Sequence, residues 1–194
     1  RRSEMCKTMD DVNIPSETDE KPVETVVVGV AANYGIKRIP SKNFNLSNKD
    51  AVGATTAEIL THAIECKTDS KVMFFSNLGN CYQTGVGELP EGKYRDNGVM
   101  LSKLFSDAVP GELPVGVFVL PKDEEPKGEL LIYTRQGLIK RSEWKEYLLL
   151  KQAFQGYKGK EGDEVFKVEA VRPGTDVFYV TNRGGCTRFE TTEI

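Results

Sequence analysis

One hairpin signal recurs four times along this chain, and that recurrence constrains the fold more than any bulk property. The copies are VVVGVAANYGIKRIP (26–40), KVMFFSNLGNCYQTG (71–85), ELLIYTRQGLIKRSE (129–143) and DVFYVTNRGGCTRFE (176–190). Each places a run of β-prone residues before a polar turn with glycine, then a short second strand. Gly79, Gly137 and Gly184 close the last three turns, and Gly35 serves the first with a turn of altered length. These glycines lie 44, 58 and 47 residues apart, the spacing of blade-like repeats. Cys81, Ile139 and Cys186, each two residues past its glycine, fall in one slot. A shared slot that also takes isoleucine points to core packing for both cysteines rather than to thiol chemistry.

A second pattern lies between the hairpins. VPGELPVGVFVLP (109–121) and KEGDEVFKVEAVRPG (160–174) each set a glycine–acid turn before an alternating strand. AEILTHAIECKTD (57–69) is a weaker copy; its Ile59, Leu60, Ala63 and Ile64 also fit a helical period. SEWKEYLLLKQAF (142–154) has an amphipathic helical look, but the repeat frame makes it strand plus loop, with Trp144 packed between units. A unit of about four short strands, repeated, implies an all-β, propeller-like radial stack of four-stranded blades, with helix nearly absent. Residues 1–23 are expected to form a junction and an acidic linker, since 10–24 (DDVNIPSETDEKPVE) is poor in apolar residues. Residues 24–194 then hold about four repeats, the last incomplete.

Composition narrows the functions. The net charge is −3, so nucleic-acid binding has to come from where the charges sit rather than from their sum. Four cysteines (6, 66, 81, 186) without a CxxC unit, and one histidine, His62, argue against a zinc site. Scattered thiols and an N-terminus without an apolar signal core fit a reducing cytoplasm. The longest apolar stretch, VVVGVAA, is too short to span a bilayer. No nucleophile elbow, phosphate loop or metal-ligand set is present, so no catalytic residue, metal or cofactor is expected in this chain. The acidic run KDEEPKGE (122–129) reads as a solvated loop, and His62 as structural or exposed.

Taken together, VTNRGGCTRFE (180–190), YTRQGLIKRSEW (133–144), QGYKGKEGDEVFKV (155–168) and the ELPEG and NG loops of the second repeat resemble a known family. It is the C-terminal domain of the A subunit of bacterial type IIA topoisomerases, DNA gyrase and topoisomerase IV. The opening RRSE is similar to the family's junction with its catalytic core. The resemblance implies a β-pinwheel, a propeller variant whose blades exchange a strand with their neighbours. It implies a non-catalytic domain that binds duplex DNA along a basic rim and bends it for strand passage. The implied partners are double-stranded DNA, the catalytic core of the same polypeptide, which holds the reactive tyrosine, and the B (ATPase) subunit. The implied setting is the bacterial cytoplasm at the nucleoid, without membrane contact. The gyrase wrapping loop, of the form Q-R-R-G-G-K-G, has no counterpart in the first repeat, which reads NFNLSNKDAVGATT (43–56). The nearest echo is AFQGYKG (153–159), matching at Gly156, Lys158 and Gly159. That departure tilts the resemblance toward topoisomerase IV.

The basic residues expected to hold DNA follow the hairpin turns or crowd the third repeat. They are Lys37, Arg38 and Lys42; Arg135, Lys140, Arg141, Lys145, Lys151, Lys158 and Lys160; and Arg183 and Arg188. If the repeats stack radially, the pair after each turn lines one edge and neutralises phosphates without reading bases. Composition alone would make these charges solubilising; the resemblance makes them a DNA-facing stripe. The alternatives are a gyrase domain with an atypical box and a propeller-like protein-interaction module.

Overall fold

The computed structural model describes residues 22–47 and 54–194. The junction and linker expected over residues 1–23 lie almost wholly outside the described residues. Among the described residues twelve strands form four antiparallel sheets. The first sheet holds β1 (Thr25–Ala31), β2 (Ile36–Pro40) and β3 (Leu60–Lys67), in the order β2-β1-β3. The second is built from β4 (Lys71–Ser76), β5 (Asn80–Gly85), β6 (Pro114–Leu120) and β9 (Ala153–Gln155), in the order β6-β4-β5-β9. The third takes β7 (Glu129–Thr134), β8 (Ile139–Glu143) and β10 (Val165–Val171), ordered β10-β7-β8. The fourth is the hairpin of β11 (Asp176–Val180) and β12 (Cys186–Glu190). Among the described residues helix is confined to α1 (Ser41–Leu46), α2 (Leu101–Leu104) and short 3-10 turns.

The four hairpin signals are thus four hairpins, β1–β2, β4–β5, β7–β8 and β11–β12. The glycine–acid segments between them supply β6 and β10, and the ambiguous 57–69 segment supplies β3 rather than a helix. In β3, half-buried residues alternate with exposed ones, the period of a strand with one covered face.

The turns are uniform, which corrects one expectation. The carbonyls of Ala31, Ser76, Thr134 and Thr181 accept from the N–H of the residue three positions on. That residue is Tyr34 in the first hairpin and Gly79, Gly137 or Gly184 in the others. All four have positive φ: 63° at Tyr34 and 80–86° at the glycines. Gly35 is therefore not the turn glycine and the first turn is not altered in length; Tyr34 occupies the left-handed position, which is uncommon for a residue with a Cβ. Gly35 answers a different need, because a Cβ there would sit 1.8 Å from the Asn97 carbonyl oxygen.

Three apolar clusters lie between successive sheets. Val26, Val28 and Val30 of β1 meet Val72 and Phe74 of β4. Met73, Phe75 and Cys81 meet Leu130, Ile132, Trp144 and Val168. Leu131 and Tyr133 meet Val177, with Tyr179 and Phe189 packed alongside. Alternation explains the order: successive residues of β4 and β7 point to opposite faces, so each central strand feeds two cores. Trp144 lies between the second and third sheets, edge-on to Phe118 at 5.1 Å.

The connections after the second and third hairpins reach back to the preceding sheet. After β8 the chain supplies β9, which pairs with β5 through Asn80↔Gln155, Cys81↔Phe154 and Tyr82↔Ala153. After β5 it makes the same excursion toward β2, through the bridges Arg38↔Glu91 and Ile36↔Val99. This is the strand exchange of a β-pinwheel. Among the described residues only the second sheet counts four strands; the first has its fourth position filled by isolated bridges.

Candidate nucleic-acid interface

Sheet geometry decides which basic residues can reach a ligand. The Lys–Arg pairs of the first and third hairpins, Lys37–Arg38 and Lys140–Arg141, lie within strands, so their two members point to opposite faces. Arg38, Lys140 and Arg141 lie on faces turned to a neighbouring sheet, and Lys37 on the covered outer face of the first. A pair cannot therefore line one edge, and the expected stripe is corrected on that ground.

Lys37 shows the consequence. It pairs with Gly29 across β1–β2 and is only 1% exposed. Its ammonium donates to the carbonyls of Ala57 (2.7 Å), Tyr94 (2.5 Å) and Asp96 (2.8 Å). Burial lowers its pKa, while Asp96 and Glu58 pull the other way. An ammonium has three protons and all three are taken. Lys37 is a structural staple, not a DNA ligand.

Arg38 faces the second sheet and holds Glu91 at 3.2 Å. Gln83 occupies the same slot in β5, where its side-chain amide donates to the carbonyls of Leu149 and Lys151. Arg141 fills it in β8, half-buried, donating to the Thr191 carbonyl at 2.6 Å with Glu129 at 3.9 Å. The slot thus grips the chain arriving from the next repeat, and Arg38 and Arg141 are drawn away from solvent. Arg188 fills it in β12 and is exposed, turned onto Asp176 of its own hairpin at 2.7 Å. That neighbour raises the Arg188 pKa and lowers that of Asp176.

The other expected ligands divide by charge partner. Arg135 pairs with Glu164 at 3.3 Å, Lys140 with Glu146 at 4.0 Å, and Lys145 with Glu143. These pairs are exposed and weak, so a phosphate can compete for them. Lys42, Lys151, Lys158, Lys160 and Arg183 are exposed and enter no salt bridge among the described residues.

Three of these five share one location. Lys151, Lys158 and Lys160 flank β9, the last strand of the second sheet. At the opposite edge β6 lies against β3 and β10, so the third strands gather on one side and the exchanged segments form the other rim. Gly156 and Tyr157 donate to the Gly79 carbonyl, which brings Lys158 and Lys160 beside the β4–β5 turn. The preceding rim segment carries Lys93 and Arg95, both exposed, Arg95 held lightly by Glu58 at 3.2 Å. The turn-centred reading of the sequence missed these two. The signal that finds them is their position between the second hairpin strand and the third strand, where the next repeat carries Lys151–Lys160.

No group of three His, Cys, Asp or Glu residues among the described residues could hold a metal ion. Cys81 is buried and its pKa is raised by that burial; Cys66 is pushed up to about 11, chiefly by burial. Cys186, in the same slot as Cys81, is exposed, so the core packing expected for both holds for Cys81 alone. His62 is half-buried in β3, with its pKa lowered by burial. No helix among the described residues is long and apolar enough to cross a membrane.

Comparison with known proteins fits this geometry. No family model matches the chain. The DNA gyrase A-subunit of Granulibacter bethesdensis is 30% identical over 207 residues, which include the whole of this chain and 21% of that protein. The DNA topoisomerase 4 A-subunit of Bacillus subtilis is 24% identical across 95% of the chain and 23% of its own length. The crystal structure of the C-terminal domain of DNA topoisomerase IV superposes with a TM-score of 0.76 at 25% identity, covering 90% of this chain and 54% of that one. The chain belongs with the C-terminal domains of bacterial type IIA topoisomerase A subunits. It spans about a fifth of the length of the curated relatives it matches. In this topoisomerase domain the faces between successive sheets are committed to repeat-to-repeat contact, and the exchanged segments present exposed basic residues to solvent.

Proposed function

We propose that the domain binds duplex DNA along the rim made by the exchanged segments and bends it for the strand passage of a type IIA topoisomerase. The observation that carries this is the set of exposed lysines around β9, Lys151, Lys158 and Lys160, which have no salt-bridge partner among the described residues, with Lys93 and Arg95 on the preceding segment. Ammonium groups on mobile side chains at a strand edge suit phosphates and release counterions, without sequence readout. Glu91, Glu161 and Glu164 on the same rim are also exposed and keep the affinity modest. A duplex that follows several such segments must curve, at a cost of a few kcal/mol for a large bend.

In this reading the domain is not itself catalytic. The reactive tyrosine lies in the catalytic core of the same polypeptide, and a separate ATPase subunit completes the enzyme in the bacterial cytoplasm, at the nucleoid. The parent is topoisomerase IV-like, because the first repeat has no Q-R-R-G-G-K-G loop. A gyrase with an atypical box is the alternative.

Fluorescence anisotropy of a labelled duplex, titrated at several salt concentrations, tests the binding. The expected result is an affinity that falls linearly on log–log axes and is the same for unrelated sequences. Binding that ignores salt would contradict it. Energy transfer between the duplex ends should rise on binding if the DNA is bent. The parent enzyme should relax or decatenate DNA better than it introduces negative supercoils.

A protein-interaction role is the second reading. It draws on the consecutive exposed residues Leu148, Leu149 and Leu150, which line a cavity with Glu124 and Glu125. The same titration separates the two, since docking of a protein on the apolar leucines predicts no salt-sensitive duplex binding.

A further inference from the structure

The two exchanged segments make the same connection, but the second makes it with extra chain. Each begins on a short 3-10 turn, Val86–Glu88 in one and Trp144–Glu146 in the other. The N–H of the next residue closes that turn, Leu89 donating to the Val86 carbonyl and Tyr147 to the Trp144 carbonyl. Both closing residues are buried. Each segment then meets the preceding hairpin at one position. The Arg38 N–H donates to the Pro90 carbonyl at 3.1 Å, and the Gln83 N–H, in the equivalent slot, donates to the Gln152 carbonyl at 2.8 Å. Pro90 follows Leu89 directly, whereas Leu148, Leu149, Leu150 and Lys151 lie between Tyr147 and Gln152. The fold closes without them in the first segment, so they are an insertion in the second.

The insertion is apolar, exposed and pinned. Leu148 and Leu149 are 40% and 41% exposed, and Leu150 is 99% exposed, so its side chain leans on almost nothing in the domain. Three consecutive exposed leucines contribute little to a core, and an exposed apolar patch of this kind marks a contact surface. The buried Gln83 amide donates to the carbonyls of Leu149 and Lys151, the two neighbours of Leu150. Both amide protons are used, which fixes the backbone on either side of Leu150 and holds that side chain outward. Lys151 follows it, exposed and without a salt bridge among the described residues. Glu124 and Glu125 line the same cavity as the leucines, but on the chain that leaves β6, at the edge of the sheet opposite β9.

We infer that Leu150 is a wedge that enters the minor groove of the bound duplex and partly unstacks one base step, with Lys151 on the flanking phosphate. The inference rests on the rim reading proposed above and supplies the origin of its bend. The occupant is a duplex on two grounds. The insertion runs without a break through Lys151 into β9 and on to Lys158 and Lys160, the free cations of the rim. Leu150 is also a projecting knob, the shape that parts stacked bases, rather than the floor of a groove. Apolar side chains set beside cations kink DNA in this way, and the duplex bends away from the wedge. A kink at one contact reduces the smooth curvature that the rest of the rim has to impose. The first exchanged segment carries Glu88, Leu89 and Pro90 at this point, with Leu89 buried, and has no counterpart to the wedge.

A duplex that carries 2-aminopurine at several positions and a dye at each end tests this with the 194-residue chain. Unstacking raises 2-aminopurine fluorescence, and bending raises energy transfer between the ends. Both signals should rise with the wild-type chain. Leu150→Ser should lose most of both rises and bind roughly tenfold more weakly, with the log–log salt slope kept because no phosphate contact is removed. Leu150→Phe retains an apolar wedge and should keep both signals. Fluorescence that the wild-type chain does not raise, or that Leu150→Ser raises equally, would overturn the inference while the rim reading stands; the leucines would then belong to a protein-binding surface. A wild-type chain without salt-sensitive duplex binding would overturn the rim reading, and the wedge with it.

Discussion

The first and fourth sheets share a hairpin, yet one has its far face closed and the other open. In the first, Val27 and Ile39 point away from the other repeats and are buried, with α1 lying against β1 and β2. Lys37 points the same way and ties Ala57 to Tyr94 and Asp96. In the fourth, Phe178 and Val180 face solvent and Arg188 turns onto Asp176 of its own hairpin. The hairpin alone therefore does not fix the fate of a side chain; what lies against its sheet does. A lysine after a turn becomes a buried staple under a cap, and an arginine in the next position is a grip when a neighbour arrives and a surface charge when none does. Repeat proteins generally close their ends with atypical units, and the first sheet has such a unit in α1 and the segment that carries Ala57.

The largest expected effect is at the closed end. Lys37→Met leaves three carbonyls without their donor and should destabilise the domain by about 3 kcal/mol in urea unfolding. The duplex affinity of the folded fraction should be unchanged. A stable variant with weakened DNA binding would return Lys37 to the interface and break the comparison.

The next test compares two glycines of one conformation. Gly79→Ala incurs the left-handed penalty of about 1 kcal/mol and also a collision with the Tyr157 carbonyl, for roughly 2–3 kcal/mol together. Gly184→Ala has only the first part and should cost about 1 kcal/mol. Equal losses in thermal unfolding would mean that the crossing segment does not press on the second turn.

The grip positions should differ less. Arg141→Ala loses the bond to the Thr191 carbonyl and should cost about 1 kcal/mol. Arg188→Ala in this chain should leave the unfolding midpoint where it is, because its partner is an exposed carboxylate. Similar losses at the two sites would erase the distinction between a filled and an empty slot.

Much of this organisation can be read from the sequence, because hairpins write themselves locally. Alternating apolar residues, a glycine turn and a spacing near 50 residues locate β1–β2, β4–β5, β7–β8 and β11–β12. Alternation also finds β6 and β10, and the repeat frame puts Trp144 between sheets. What fails is whatever depends on a neighbouring repeat. Tyr34 holds a glycine's conformation, and Gly35 is glycine because Asn97, 62 residues away, comes close. The Lys–Arg pairs look like one stripe in a string of letters, but strand geometry sends their members to opposite faces. Seven of the twelve expected DNA ligands (Lys37, Arg38, Arg135, Lys140, Arg141, Lys145 and Arg188) are stapled or paired with a carboxylate. Lys93 and Arg95 are invisible to a turn-centred search, because the segment that carries them has no regular pattern of its own.

The measurement that bears most directly on this account is the salt dependence of duplex binding in two variants. One combines Lys151→Ala, Lys158→Ala and Lys160→Ala on the exchanged segment; the other combines Lys140→Ala and Arg141→Ala after the third turn. If the rim holds the duplex, the first variant should bind weakly to every sequence and lose roughly two to three units of log–log salt slope, close to one for each phosphate contact. The second should keep most of its slope, with any loss traced to stability at Arg141. A full slope in the first variant and a collapsed slope in the second would contradict the account and restore the hairpin pairs as the DNA-binding surface.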